Sequence, residues 1–295
     1  MKTLTCLLLG GALALAAGGG GVAAGSVRIA FVSDRGGGET FDLWVMNADG
    51  SDQHRVTNTP GYSEQESTWS PDNLRLAFQT DPEKPVDRGN AIAVMGASGG
   101  IKLITTGFAP NGNYQDDREP DWAPDGSRIA FARATGNGYR IFTIRPNGTG
   151  ITQITNGGLD RAPTWSPDSK RIAFARGSQL WIMNADGSGL TRIVGGYIRN
   201  PAWSPDGSTI AFTQSSPRTG ATDIYTVAAT GGPVHQLTRT PSISEQFPSW
   251  SPDGTKIAFQ YKAHPGDIYV MNANGTGVTR LTTDPGNDSL PSFTN

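Results

Sequence analysis

Carboxylates recur at a fixed distance ahead of a tryptophan-type residue throughout this chain, and they are the first candidates for chemistry. Five residues before Trp69, Trp122, Trp165, Trp203, Trp250 and Phe293 stand Glu64, Asp117, Asp160, Ile198, Glu245 and Asp288. The next position carries Gln65, Arg118, Arg161, Arg199, Gln246 and Ser289. Acid in five of six copies, with Arg beside it in three consecutive ones, suits two kinds of chemistry. Carboxylates such as Glu64, Asp117 and Asp160 are the oxygen ligands that Ca²⁺ takes. Carboxylates interleaved with arginines and aromatics can instead clasp a peptide segment. A solvated rim whose charges pair locally has the same spacing. Tyr62, Phe108, Tyr114 and Tyr197 fall in the segments leading to these positions and would supply the aromatics.

Other reactive groups converge poorly. The three histidines, His54, His235 and His264, lie far apart in the repeat pattern described below. They do not suggest a shared metal or a base paired to a nucleophile. Residues 96–100 spell G-x-S-x-G, but they fall in a turn between strands rather than in the strand-to-helix elbow that such a nucleophile needs. Asn147, Asn274 and Asn287 begin Asn-x-Ser/Thr triplets and read best as turn residues.

The elements that must position these groups come from a repeat. Five copies run Trp, Ser or Ala, Pro-Asp, then Ile/Leu-Ala-Phe; the last occupies residues 250–259. Each copy reads as four strands. In the unit starting near Asn200, strand A ends in Ser204-Pro205-Asp206-Gly207, where Pro presets φ and Gly relieves the exit of a type I turn. Strand B is T-I-A-F-T, strand C is D-I-Y-T-V-A and strand D is H-Q-L-T. Four short strands every 40 to 50 residues are the pattern of a β-propeller blade. Strands B, C and D occur six times each. Strand A reaches six only if L-P-S-F at the C-terminal end completes the blade whose other strands lie near the start. The expectation is an all-β, six-bladed propeller of four antiparallel strands per blade, its ring closed by the C-terminal strand, which removes open sheet edges. The A–B and C–D turns then share one nearly uniform face. The B–C and D–A loops share the other, with the longest at residues 81–90 and 106–118, and variable loops on a rigid scaffold are where binding residues concentrate.

The first 24 residues read separately. Lys2 precedes an apolar run at 4–17 and a Gly-rich stretch ending Val22-Ala23-Ala24, the pattern of a secretory signal peptide cleaved after Ala24. The run is short of the roughly 20 residues of a membrane span. Cys6, the single cysteine, would leave with it. Beyond Lys2, 23 Lys and Arg face 26 Asp and Glu without a charge block, which argues against a nucleic-acid surface. Residues 25–295 are thus expected to be one propeller domain.

The W-S-P-D-G, I-A-F and I-Y-V-M-N motifs resemble the TolB-like six-bladed propellers over essentially all of residues 26–295. The resemblance implies a fold whose members serve as protein-interaction platforms in the cell envelope, as gating domains of prolyl-oligopeptidase-like enzymes, and occasionally as lyases. The chain is expected to depart from the first two layouts, lacking both the separate α/β domain that precedes the propeller in TolB and room for a hydrolase domain.

The reading that follows is an exported, non-catalytic, monomeric scaffold, periplasmic or extracellular. It binds a protein or peptide through the variable face and channel mouth, without nucleic acid, without a membrane span after signal cleavage, and with no cofactor unless Ca²⁺ binds at Glu64, Asp117 and Asp160. The binding set is Glu64, Asp117, Arg118, Asp160, Arg161, Arg199, Glu245, Asp288, Tyr62, Phe108, Tyr114 and Tyr197. The alternative is a metal-assisted carbohydrate- or lactone-active enzyme using the same carboxylates.

Overall fold

A computed structural model of the chain describes residues 26–36, 40–59, 61–82, 89–108, 114–216, 220–240, 242–263 and 265–294. The expected signal segment, Cys6 and His264 lie outside the described residues, as do parts of the two longest loops. The first blade takes β1 (Arg28–Ser33), β2 (Asp42–Asn47) and β3 (His54–Arg55). The second is β4 (Tyr62–Trp69), β5 (Leu76–Pro82), β6 (Ala91–Met95) and β7 (Ile101–Leu103). The third is β8 (Asp117–Trp122), β9 (Ile129–Thr135), β10 (Gly138–Ile144) and β11 (Thr152–Gln153). The fourth is β12 (Asp160–Trp165), β13 (Arg171–Arg176), β14 (Gln179–Asn184) and β15 (Thr191–Val194). The fifth is β16 (Ile198–Trp203), β17 (Thr209–Ser215), β18 (Thr222–Ala228) and β19 (His235–Gln236). The sixth is β20 (Ser244–Trp250), β21 (Lys256–Lys262), β22 (Asp267–Asn272) and β23 (Thr279–Arg280). The last strand, β24 (Asp288–Phe293), pairs antiparallel with β1 and completes the first blade, as the split repeat requires. Among the described residues no helix is long and apolar enough to cross a membrane.

The Ile-Ala-Phe strand explains the packing. It is the second strand of each blade and has neighbouring blades on both faces, so it is buried continuously rather than alternately. Phe31, Phe78, Phe131, Phe174, Phe212 and Phe259 are all buried, as is every Ala beside them. The core is accordingly six clusters, one per junction. At one of them Trp203, Ile210 and Phe212 pack on Ala173, Leu180 and Ile182 of the preceding blade. Ala is small at this position because the aromatic residues of the next blade close over it. Phe293 takes the tryptophan's place at the closing junction, with Ile29, Phe31, Ala258 and Ile268. Each buried phenylalanine contributes about 1.5–3 kcal/mol, so stability resides in the joints between blades.

Turn chemistry completes those joints. In Ser166-Pro167-Asp168, the Ser166 hydroxyl donates to Asp168 at 2.5 Å and accepts from the Arg171 N–H, while Asp168 accepts from the Lys170 N–H. Ser204-Pro205-Asp206 and Ser251-Pro252-Asp253 repeat the arrangement. The C–D turns are more than punctuation, because their glycines abut the preceding blade. Gly187 has φ +90°, and a Cβ there would lie 2.6 Å from the Ile154 carbonyl oxygen. Gly187→Ala should therefore destabilise the fold by about 1–3 kcal/mol. Gly157→Ala, where a Cβ meets nothing within 4 Å, should stay within about 0.5 kcal/mol. Urea denaturation of the two variants checks the difference.

Candidate functional site

The innermost strand of every blade carries a β-bulge. In β8, Arg118 pairs with Ala132 and Asp121 with Ala130, so Glu119 and Pro120 together face one residue. The other five inner strands shift at the same place. At each bulge one residue, three before the tryptophan-type position, adopts a left-handed backbone: Glu66, Glu119, Ala162, Asn200, Phe247 and Leu290, with φ between 48° and 56°. None is glycine, and each such conformation costs on the order of 1–3 kcal/mol. Proline follows in five of the six (Pro120, Pro163, Pro201, Pro248, Pro291), where it surrenders no ladder hydrogen bond.

The bulge overturns the expected placement of the recurring carboxylates. A one-residue slip transfers everything beyond it to the opposite side of a strand. Glu64, Asp117, Asp160, Glu245 and Asp288 thus share the buried side with the tryptophans instead of opening on the channel, and all five are at most 2% exposed. Each is held by its own partners. Arg133 forks onto Asp117 at 2.6 and 2.7 Å, and Arg176 onto Asp160 at 2.6 and 2.9 Å. Arg35 donates to Asp288. Thr57 and Thr59 of the preceding segment donate to Glu64, as Thr238 and Thr240 do to Glu245. Thr57 and Thr238 also accept the N–H groups of Leu43 and Ile224, so these carboxylates clamp one blade onto the next. Ile198 fills the position with an apolar side chain in the fifth blade. Glu64, Asp117 and Asp160 do not come together. Among the described residues no group of three His, Cys, Asp or Glu could hold a metal ion.

The other expected binding residues lie nearer the opening. Arg118 pairs with Asp116 at 2.8 Å, and Asp116 also accepts from Asn90 and from the Tyr139 hydroxyl. Although burial opposes it, hydrogen bonds from Arg118 and Tyr139 hold the Asp116 carboxyl below its ordinary range. Burial first, and then Asp116, push the Tyr139 hydroxyl up to about 12. Arg161 lies over the Tyr139 ring, 4.5 Å from its centroid, and pairs with Glu119 at 2.8 Å. Arg199 is exposed, with no ion pair among the described residues. Phe108 and Tyr114 bridge the base of their loop, rings 6.4 Å apart, and are 43% and 61% exposed; Tyr197 is 60% exposed. Tyr62 is half-buried in β4. His54 and His235 sit on outer strands of different blades, and residues 96–100 form the β6–β7 turn.

A cavity of about 370 Å³ runs along the inner strands down to the turn prolines Pro124, Pro167, Pro205 and Pro252. Its walls are the bulge residues and those just before each tryptophan, a set not singled out in the sequence. Glu66, Glu119 and Asp121 line one side; Phe247 and Leu290 belong to the rest of the wall. The acids also stitch blades: Glu66 accepts the Glu119 N–H at 3.0 Å, Glu119 the Ala162 N–H at 2.6 Å, and Asp121 the Trp165 N–H at 2.6 Å. Burial, reinforced by the charge of Glu119, raises the Glu66 carboxyl above its ordinary range. Burial likewise raises Asp121 to about 7. The readable signal was the proline two residues before the tryptophan, since proline inside a strand marks either a sheet edge or a bulge, and these inner strands carry both.

Two stability predictions follow from this chemistry. Asp160→Ala leaves Arg176 without its partner in a largely buried setting and should cost about 3–5 kcal/mol in denaturant unfolding. Burial also raises Glu64 and Glu245 to about 7. For such groups the stabilisation is complete below the ordinary carboxylate pKa and is lost as pH climbs through 7. The melting temperature should fall by about 5 °C or more between pH 5 and pH 8. Glu64→Gln with Glu245→Gln should flatten that limb.

The comparison with curated proteins found no match to this sequence. Among solved structures, TolB from Acinetobacter baumannii matches with a TM-score of 0.76 at 23% identity, over 90% of this chain and 66% of that one. The chain thus spans just under two thirds of that structure. A TolB structure from Agrobacterium tumefaciens matches at 0.67 and 23% identity, over 88% of this chain and 90% of the other. A chain of the nidogen–laminin complex matches at 0.70 with 8% identity, over 91% and 98%. At these identities the likeness is one of fold. The family model described as the TolB beta propeller domain matches residues 23–194, which is more than half of the sequence. The chain therefore belongs to the TolB β-propeller domain family.

Proposed function

We propose that this protein is an exported, non-catalytic scaffold that binds a protein or peptide partner through the face bearing its B–C and D–A loops. The observation that carries the reading is the company kept at the channel opening. Phe108, Tyr114, Leu159 and Tyr197 expose apolar surface on three successive D–A loops, with Leu159 56% exposed. Arg161 and Arg199 stand beside them on β12 and β16. Exposed aromatics with arginines are the residue types that dominate interface energetics, and aromatic side chains lose little rotamer freedom on binding. The carboxylates that an enzyme reading would use are already occupied by Arg133, Arg176 and threonines. The leader-like residues 1–24 support export. A neighbour of the same fold was solved within a nidogen–laminin complex, which is consistent with propellers as protein-binding surfaces.

The test is capture from envelope extract on immobilised protein, followed by affinity measurement with the identified partner. Tyr197→Ala together with Leu159→Ser should weaken binding about tenfold or more. Leu190→Ser, at an exposed apolar residue of a C–D turn on the opposite face, should change it little. Equal affinity for the rim variants, or turnover of a sugar or lactone by the purified protein, would overturn the reading.

A further inference from the structure

We propose that the central cavity receives a single organic cation, the ammonium or guanidinium end of a Lys or Arg side chain carried by the bound partner. This rests on the binding reading above and adds the chemistry of the group that enters the channel. Glu66, Glu119 and Asp121 line the cavity from two adjacent inner strands. Among the described residues they form one salt bridge between them, Glu119 to Arg161, and Arg161 is itself 40% exposed. Carboxyl groups therefore outnumber cations along that wall. A carboxylate removed from water demands a cation or a proton.

An independent feature points the same way. Two residues before the tryptophan-type position, five blades place a proline and the second blade places Ser67. Ser67 lines the cavity beside Glu66, is 8% exposed, and its hydroxyl has no hydrogen-bond partner. It is the one hydroxyl in an otherwise proline ring, on the acidic side. An ammonium or guanidinium group would donate to it and to the carboxylates together. The remaining wall suits the stem of such a side chain: Phe247, Leu290 and the prolines offer apolar surface to its methylenes. The three carboxylates are spread along the wall and do not form a metal-holding group, which favours a forked or multivalent donor over a compact ion. A cavity of about 370 Å³ lies at the small end of ligand sites and takes a side chain or two, not a folded element.

Titration calorimetry on the full chain tests this with a capped Gly-Leu-Lys-Leu-Gly peptide, the same peptide carrying norleucine for Lys, and Ca²⁺ alone. The Lys peptide should bind about tenfold or more tighter than its norleucine counterpart. Glu66→Gln keeps an acceptor for the Glu119 N–H yet should cost about tenfold, and Ser67→Ala about threefold. Unchanged melting curves would show that these losses are local. Equal affinity for the two peptides, binding of neither, or indifference to Glu66→Gln would overturn the proposal. So would Ca²⁺ binding that Glu66→Gln abolishes and that displaces the Lys peptide. If the cavity fails these tests while rim variants still lose the partner, the binding reading stands without it. If the Lys peptide binds while rim variants keep the partner, the rim reading fails and the cavity proposal holds.

Discussion

One extra residue in each innermost strand governs what this molecule shows to its channel. In a regular strand, the residues one, three and five places before the tryptophan would share a face. The bulge breaks that parity between the fifth and the third. The residues five places before the tryptophan are turned into the blade junctions, and the bulge residues themselves are turned to the cavity. Six non-glycine residues are held left-handed to do this. Such a conformation persists only where the surroundings over-determine it, and here the surroundings are the adjacent blades. The strain and the ring are mutually dependent.

The inward-turned carboxylates show how that dependence works. Asp117 and Asp160 are spent on arginines of their own blade's second strand, whereas Glu64 and Glu245 reach threonines of the blade before. The first kind squares the entrance of a blade, and the second ties two blades together. Beneath them lie the apolar junctions, each pairing the tryptophan and Ile-Phe face of one blade with the alanine face of its predecessor. Polar clamps fix the register, and the apolar wedges supply most of the free energy. β24 carries Asp288 and Phe293, so the closing blade receives a clamp and a wedge like the others.

Function is left to the surfaces that these joints do not consume. At the rim, Arg118 and Arg161 are partly neutralised by Asp116 and Glu119, which leaves aromatic and aliphatic side chains prominent. Within the cavity, carboxyl groups are concentrated on the second and third blades, while Ala162, Asn200, Phe247 and Leu290 occupy the equivalent positions elsewhere. A sixfold scaffold thereby presents a polarised site. The asymmetry comes from substitutions at positions where the backbone is the same in every blade.

Much of the architecture was legible in the chain because repetition is a local property. Ser-Pro-Asp-Gly turns, Ile-Ala-Phe strands and a tryptophan position ending in Phe293 determined the number of blades, the strand order and the closure, each through short-range turn chemistry and hydrophobic pattern. The arginine row and the exposed aromatics were equally visible, as loop residues of recognisable type. The direction of the side chains at the inner strand was not. Counting back from Trp69 puts Glu64 and Glu66 alike on the channel side and does not tell them apart. Only pairing between strands β4 and β5, with its extra residue, reverses the assignment of Glu64. The sequence by itself determined which elements exist and how they are ordered. The tertiary structure decided which carboxylates are clamps and which line the cavity, because that choice depends on a register that exists only once neighbouring strands and blades are in contact.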